Sequence, residues 1–257
     1  MPASPSAIRL LGVDFAILNL RQAVNAINAR PVGAPFAYAV TPTADHLVRL
    51  SRDPATIQPL YQGAWLRLLD SRVVARLARL LGLSAPSVVT GSDLTAALVR
   101  GAAAAGERVT VIGLTEEQAQ ALAMRTGLQL HHHCPAFGVE HDAGAFAAAV
   151  QFVEGHPARL IFLAVGSPWQ EMLAQALVAR GTATGTGLCI GASLRFLAGA
   201  ERRAPVLVQR AGLEWAWRLA QNPRRLWRRY LVDDLVVLQL LWREARGWRE
   251  SWQGRYE

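Results

Sequence analysis

The sequence predicts an α/β protein: a Rossmann-like parallel sheet flanked by helices, with a C-terminal α-helical appendage. Three observations carry this. Short, continuously apolar runs alternate with helical stretches between about residues 36 and 191, the pattern of a parallel sheet covered on both faces. Four of these runs end in glycine, at Gly91, Gly113, Gly166 and Gly191. Beyond residue 205 the alternation stops, leaving two helical stretches with no strand between them. The expected division is an α/β domain over 1–204 and a basic, Trp/Arg-rich helical appendage over 205–257.

In chain order, residues 8–18 are apolar and 20–29 suit a helix. Residues 36–41 form a buried strand running into Pro42-Thr43-Ala44-Asp45-His46, where Thr43 or Asp45 caps the next helix. A second helix starts after Pro54, and the segment closes at Leu68-Leu69-Asp70-Ser71. Residues 72–81 are an amphipathic helix stopped by Gly82. Strands are then expected at 88–91, 108–113, 128–132, 160–166 and 188–191, with helices at 93–105, 116–126, 143–154 and 169–180. Ligands of such sheets bind beyond the carboxyl ends of the strands, so the glycine tips point at the site.

Composition narrows the function classes. The 257 residues can bury a full core. Although 52% are hydrophobic, no stretch of 18 apolar residues lacks a charge, so no spanning helix is expected. Residues 1–7 lack the basic and apolar regions of a signal peptide. Cys134 and Cys189, far apart and each beside a strand, read as reduced, buried thiols in a cytosolic protein. From residue 201 onward 12 arginines face 7 acids, net +5, and six of the eight tryptophans share this stretch. Arginine and tryptophan at helical spacing suit an anionic membrane surface. Nucleic acid would accept the same charge, but no nucleic-acid-binding signature accompanies it, so no such partner is expected.

Several groups could carry chemistry. Gly166-Ser167-Pro168-Trp169-Gln170-Glu171 lies where a strand turns into a helix, and the free N–H groups there favour a phosphate or a sugar hydroxyl. The plain alternative is a helix start with a capping Glu. Asp70 is either an N-cap or a general base. Arg218, Arg224, Arg225, Arg228 and Arg229 form the densest charge cluster, with 218, 225 and 229 close to one helical face. They read as a solvated or lipid-facing surface, or as a clamp on a diphosphate leaving group. His131-His132-His133-Cys134 does not converge on a metal, because contiguous strand residues alternate faces. No Asp-x-Asp, G-x-G-x-x-G or Walker motif occurs, and neither metal nor cofactor is expected.

Thr41-Pro42-Thr43 with Asp45-His46, Leu69-Asp70-Ser71, residues 166–171, Gly191-Ala192-Ser193, Arg203-Ala204-Pro205, Leu213-Glu214-Trp215 with Arg218-Leu219, and Pro223-Arg224-Arg225 through Arg229-Tyr230 resemble, in combination, the WecG/TagA/CpsF glycosyltransferases. The resemblance spans about residues 36–235. It implies an inverting, metal-independent transfer from a UDP-sugar to a polyprenyl-diphosphate-linked glycan in envelope or exopolysaccharide synthesis. It also implies peripheral attachment to the cytoplasmic face of the bacterial inner membrane. Carried over, Asp70 is the base with Thr41 beside it, Gln170 and Glu171 contact the donor, and Arg218, Arg225 and Arg229 hold the diphosphate. The substrate side is further expected to include Thr43, Gly113, Gly166, Pro168, Gly191 and Ser193. Thr43, Ser71 and Arg195 stand where many members carry Asn, Gly and Asp, which bears on the sugar chosen. Leu231, Leu235, Leu238, Leu241 and Trp242 form a stripe for lipid or for a second subunit in a homo-oligomer. The competing reading is a non-catalytic basic scaffold that binds membranes or other polyanions through residues 205–257.

Overall fold

The computed structural model describes residues 6–135, 142–201, 204–205, 207–208, 214–221 and 234–253. The chain opens with an antiparallel hairpin of β1 (Ala7–Leu10) and β2 (Val13–Ala16). Its turn is made by Leu11 and Gly12, both at positive φ. Six strands follow: β3 (Ala37–Val40), β4 (Leu66–Arg67), β5 (Arg108–Ile112), β6 (Gln129–His133), β7 (Leu160–Leu163) and β8 (Thr186–Cys189). They form one parallel sheet in the order β4-β3-β8-β7-β5-β6.

The apolar runs are apolar because both faces of the sheet are covered. Along β3, Tyr38 and Val40 join one core and Ala37 and Ala39 the other. Along β7, Ile161 and Leu163 face the first and Leu160 and Phe162 the second. The first core is completed by α2 (Ala44–Arg52), α3 (Pro54–Gln62), α4 (Arg72–Leu80), α7 (Ala143–Gly155) and α8 (Trp169–Arg180). The second is covered by α1 (Leu20–Asn28), α5 (Gly91–Ala104) and α6 (Glu116–Thr126), with the short α9 (Ser193–Leu197).

Helix starts follow local chemistry. Ser71 Oγ accepts from the Val74 N–H at the head of α4, and Thr115 Oγ1 from the Gln118 N–H at the head of α6. Gly127 and Gly181 close α6 and α8 in the left-handed conformation. The expected strand over 88–91 shrinks to a single bridge between Leu69 and Val88, because Thr90 becomes the N-cap of α5 and Gly91 its first residue. The two-residue β4 and the opening hairpin are additions to the expected series. The thiols are both free as expected, but only Cys189 is buried; Cys134 is exposed.

Past residue 205 the described elements are α10 (Glu214–Gln221) and α11 (Asp234–Gln253). Helix α11 lies on α2 and α4. Val237, Leu241 and Ala245, spaced four apart, are its buried stripe, and Val237 and Leu241 belong to the first core. A long-range bond fixes it: the Leu11 N–H donates to Glu244 Oε2 at 2.8 Å. Leu238 and Trp242 stay 41% and 48% exposed on the outer side, with the Arg246 guanidinium 4.0 Å from the Trp242 ring centroid. Of the stripe expected for lipid or a second subunit, Leu241 therefore faces inward and Leu238 and Trp242 outward; Leu231 lies outside the described residues. No helix among the described residues is long and apolar enough to cross a membrane.

Candidate functional site

At the carboxyl ends of β3, β4 and β8 three oxygen-bearing side chains from separate elements meet at one glycine. Thr41 follows β3, Asp70 lies beyond β4, Ser193 opens α9, and Gly91 is the first residue of α5. The Gly91 N–H donates to Asp70 Oδ2 at 2.8 Å. A Cβ placed on Gly91 would lie 2.8 Å from Thr41 Oγ1, 3.3 Å from Asp70 Oδ2 and 3.4 Å from Ser193 Oγ. Only a residue without a side chain lets the three groups converge. The cap role open to Asp70 is taken by Ser71, which leaves the Asp70 carboxylate at the N-terminus of the 14-residue α5, where backbone donors and the helix dipole favour an anion. Asp70 is half-buried, whereas Thr41 and Ser193 are buried. Thr41 Oγ1 donates to the Cys189 carbonyl at 3.4 Å and Ser193 Oγ to the Ile190 carbonyl at 2.7 Å, tying the cluster to the end of β8.

The neighbouring turn is organised by Gln170 and Glu171, each only 2% exposed. Gln170 Oε1 accepts from the Gly191 N–H at 2.9 Å, and its Nε2 donates to Glu171 Oε1 at 2.7 Å. The polar atoms of Gln170 thus brace the turn after β8. Burial pushes the Glu171 carboxyl above the usual range, against the opposing hydrogen bonds of Gln170 and Ser167 and the charge of Arg49. The Ser167–Pro168 peptide is cis. Arg49 Nη1 donates to the Ser167 carbonyl at 2.9 Å while Nη2 bonds Asp45 one helical turn back, so α2 grips this loop.

The glycine tips differ in cause. Gly113 has φ +103°, and a Cβ there would sit 2.8 Å from the Ala164 carbonyl, so close passage of β5 against β7 requires it. Leu114, next in line, also has positive φ (65°), unusual for a side chain of that size. Gly166 and Gly191, at φ +90° and +53°, have open space where a Cβ would go, and Pro168 stands half-exposed ahead of α8. Thr43 is the N-cap of α2, its N–H facing His46 Nδ1 at 3.4 Å.

Arg225 and Arg229 lie outside the described residues, as do Arg224 and Arg228; Arg218 falls within α10, but its side chain is likewise outside the description. Arg195 pairs with Glu201 at 3.6 Å. His132 is held by Glu116 and the Gly113 carbonyl, His131 packs at a tilt against His156, and His133 stacks on Phe152. Among the described residues no group of three or more His, Cys, Asp or Glu is placed to hold a metal ion. Two contributors were not singled out as site residues from the sequence: Gly91, which stood there only as a strand tip, and Arg49, whose signal was its i,i+4 spacing from Asp45.

The family model described as glycosyl transferase WecG/TagA/CpsF family matches residues 8–251, nearly the whole chain. No curated protein matches the chain significantly.

Proposed function

The chain belongs to the WecG/TagA/CpsF family of glycosyltransferases, and from that premise we propose an inverting, metal-independent transfer from a UDP-sugar to a polyprenyl-diphosphate-linked glycan in envelope or exopolysaccharide synthesis. The supporting observation is the meeting of Thr41, Asp70 and Ser193 at Gly91, at the sheet end where parallel α/β proteins bind ligands. In the proposed reaction the Asp70 carboxylate takes the proton of the acceptor hydroxyl. The oxygen forms a bond to the anomeric carbon from the face opposite the leaving group, and UDP departs with the electron pair of the broken C–O bond. Thr41 fixes the carboxylate's surroundings, and the Gly166 and Gly191 turns leave room for the donor. Arg218, Arg225 and Arg229 neutralise the charge that grows on the departing diphosphate, as a metal does elsewhere. Leu238, Trp242 and Arg246 suit peripheral contact with an anionic membrane, in keeping with a cytoplasmic-face enzyme acting on a lipid-linked substrate.

The test is thermal denaturation against UDP-, GDP- and dTDP-sugars in EDTA, followed by a transfer assay with the donor that binds. One UDP-sugar should raise Tm by several degrees and support transfer. A requirement for added metal, or selection of another nucleotide, overturns the corresponding part of the proposal. A scaffold without enzymatic activity would show no transfer with any donor.

A further inference from the structure

At the amino ends of β3 and β8, the end of the sheet opposite the Thr41–Asp70 cluster, a cavity of about 540 Å³ opens between α1 and α8. That volume is in the range of small-molecule sites. Its wall is almost wholly apolar, with Pro31, Phe36, Trp65, Leu177 and Val178 among the lining residues, and a single charged group, Arg30.

Arg30 is only 7% exposed. Its Nε donates to Thr186 Oγ1 at 2.9 Å, and Nη2 to the carbonyls of Pro35 and Gly185. All three acceptors are neutral, and among the described residues Nη1 has no hydrogen-bond partner and Arg30 forms no ion pair. The guanidinium carbon lies 5.1 Å from the Trp65 ring centroid. A buried cation without an anion is a costly arrangement, and its desolvation lowers the guanidinium's proton affinity. A buried donor is stranded in the same wall: Trp65 is 8% exposed, and its Nε1 has no hydrogen-bond partner among the described residues. Buried donors of this kind are normally satisfied.

We propose that this cavity binds an amphiphile with an anionic head, its carboxylate or phosphate oxygens on Arg30 and its hydrocarbon body between α1 and α8. The apolar wall selects the body, and the guanidinium selects the charge. The site is separate from the Thr41–Asp70 cluster, so nucleotide does not compete for it.

The experiment uses octanoate and octyl phosphate, with octanol and inorganic phosphate as controls, read by calorimetric titration of the full-length protein. One or both charged amphiphiles should bind saturably, at least about tenfold tighter than octanol, since a charge-assisted hydrogen bond is worth roughly that factor. Inorganic phosphate should not bind there. Octanoate alone identifies a carboxylate head; octyl phosphate alone identifies a phosphate head. Ala29→Trp, at an exposed position on the rim, should abolish binding with Tm unchanged; Arg30→Gln should remove the preference for charge. Equal affinity for octanol and octanoate, binding that survives Ala29→Trp, or no binding at all overturns the proposal. So does a dimer that Ala29→Trp breaks apart, because a second copy would then fill the cavity.

Discussion

Replacing Gly91 by Ala tests whether the cluster at the head of α5 is the site. The new Cβ would lie 2.8 Å from Thr41 Oγ1, against 3.4 Å or more in an ordinary contact, so that oxygen must retreat by about 0.6 Å. Thr41 has little room, being buried at the end of β3, and Asp70 can give way only by lengthening its bond to the Gly91 N–H. A 1 Å misplacement of reacting groups costs on the order of 100-fold, so 0.6 Å should cost roughly 10- to 30-fold in kcat, with little change in KM for the donor. Overpacking costs about 1–3 kcal/mol, and relieving a helical glycine returns about 0.5–1 kcal/mol. The net loss is between nothing and about 2.5 kcal/mol, and the enzyme remains folded at assay temperature. Gly101, in the same helix, has nothing within 4 Å of its would-be Cβ. Gly101→Ala should therefore gain about 0.5–1 kcal/mol, raise Tm by about 2–4 °C per kcal/mol and leave kcat unchanged. Steady-state transfer assays and thermal melts on both variants decide the matter. Wild-type kcat in Gly91→Ala would refute the placement of Thr41 and Asp70 at the reaction centre.

Other expectations follow from neighbouring features. Asp70→Asn keeps an oxygen for the Gly91 N–H but cannot take a proton; transfer should fall by about 10²- to 10⁴-fold with donor-induced Tm shifts intact, and retained turnover would remove Asp70 from the base role. Glu171, whose folded carboxyl pKa is raised by burial, binds its proton more tightly folded than unfolded; wild-type stability should therefore fall as pH rises above about 4.3 toward the folded pKa. Glu171→Gln has no such proton to lose, so its Tm should gain on wild type with rising pH over that window, and parallel Tm–pH curves would count against a neutral Glu171. Changing Leu238 and Trp242 together to Ser should weaken binding to anionic vesicles by about 30-fold, taking roughly half of each side chain as available, with Tm nearly unchanged; undiminished co-sedimentation would point to another membrane contact.

Much of the sheet was legible because a strand covered on both faces is largely apolar, as residues 160–163 are throughout and 109–112 are but for Thr110, whose hydroxyl donates to the His156 carbonyl. The helices α6 and α8 matched expectation to the residue, each marked by a terminal glycine. The two-residue β4 left no periodicity to read, and its place in the sheet depends on β3 beside it. The sequence could place Asp70 only beside a helix start; which helix it serves depends on Ser71 capping α4 and on a contact 21 residues away. Gln170 and Glu171 lie in the first turn of α8, where sequence does not say whether a polar side chain faces a ligand or the protein. Tertiary packing turns both inward. The tail's composition marked it as basic and rich in Trp, but that Val237, Leu241 and Ala245 are its buried stripe is visible only once α2 and α4 are in place.

The bond from the Leu11 amide to Glu244 joins groups 233 residues apart. On a ribosome adding about 5–20 residues per second, the opening hairpin is made roughly 10–50 seconds before its partner exists. Through that interval α2 and α4 lack the covering that α11 gives them, and the growing chain carries an unfinished apolar surface. Docking of α11 is then a late step of biogenesis. Lesions in the hairpin or in the inner stripe of α11 should therefore appear first as lost yield of folded protein and as chaperone dependence, while molecules that do close retain a normal turnover number.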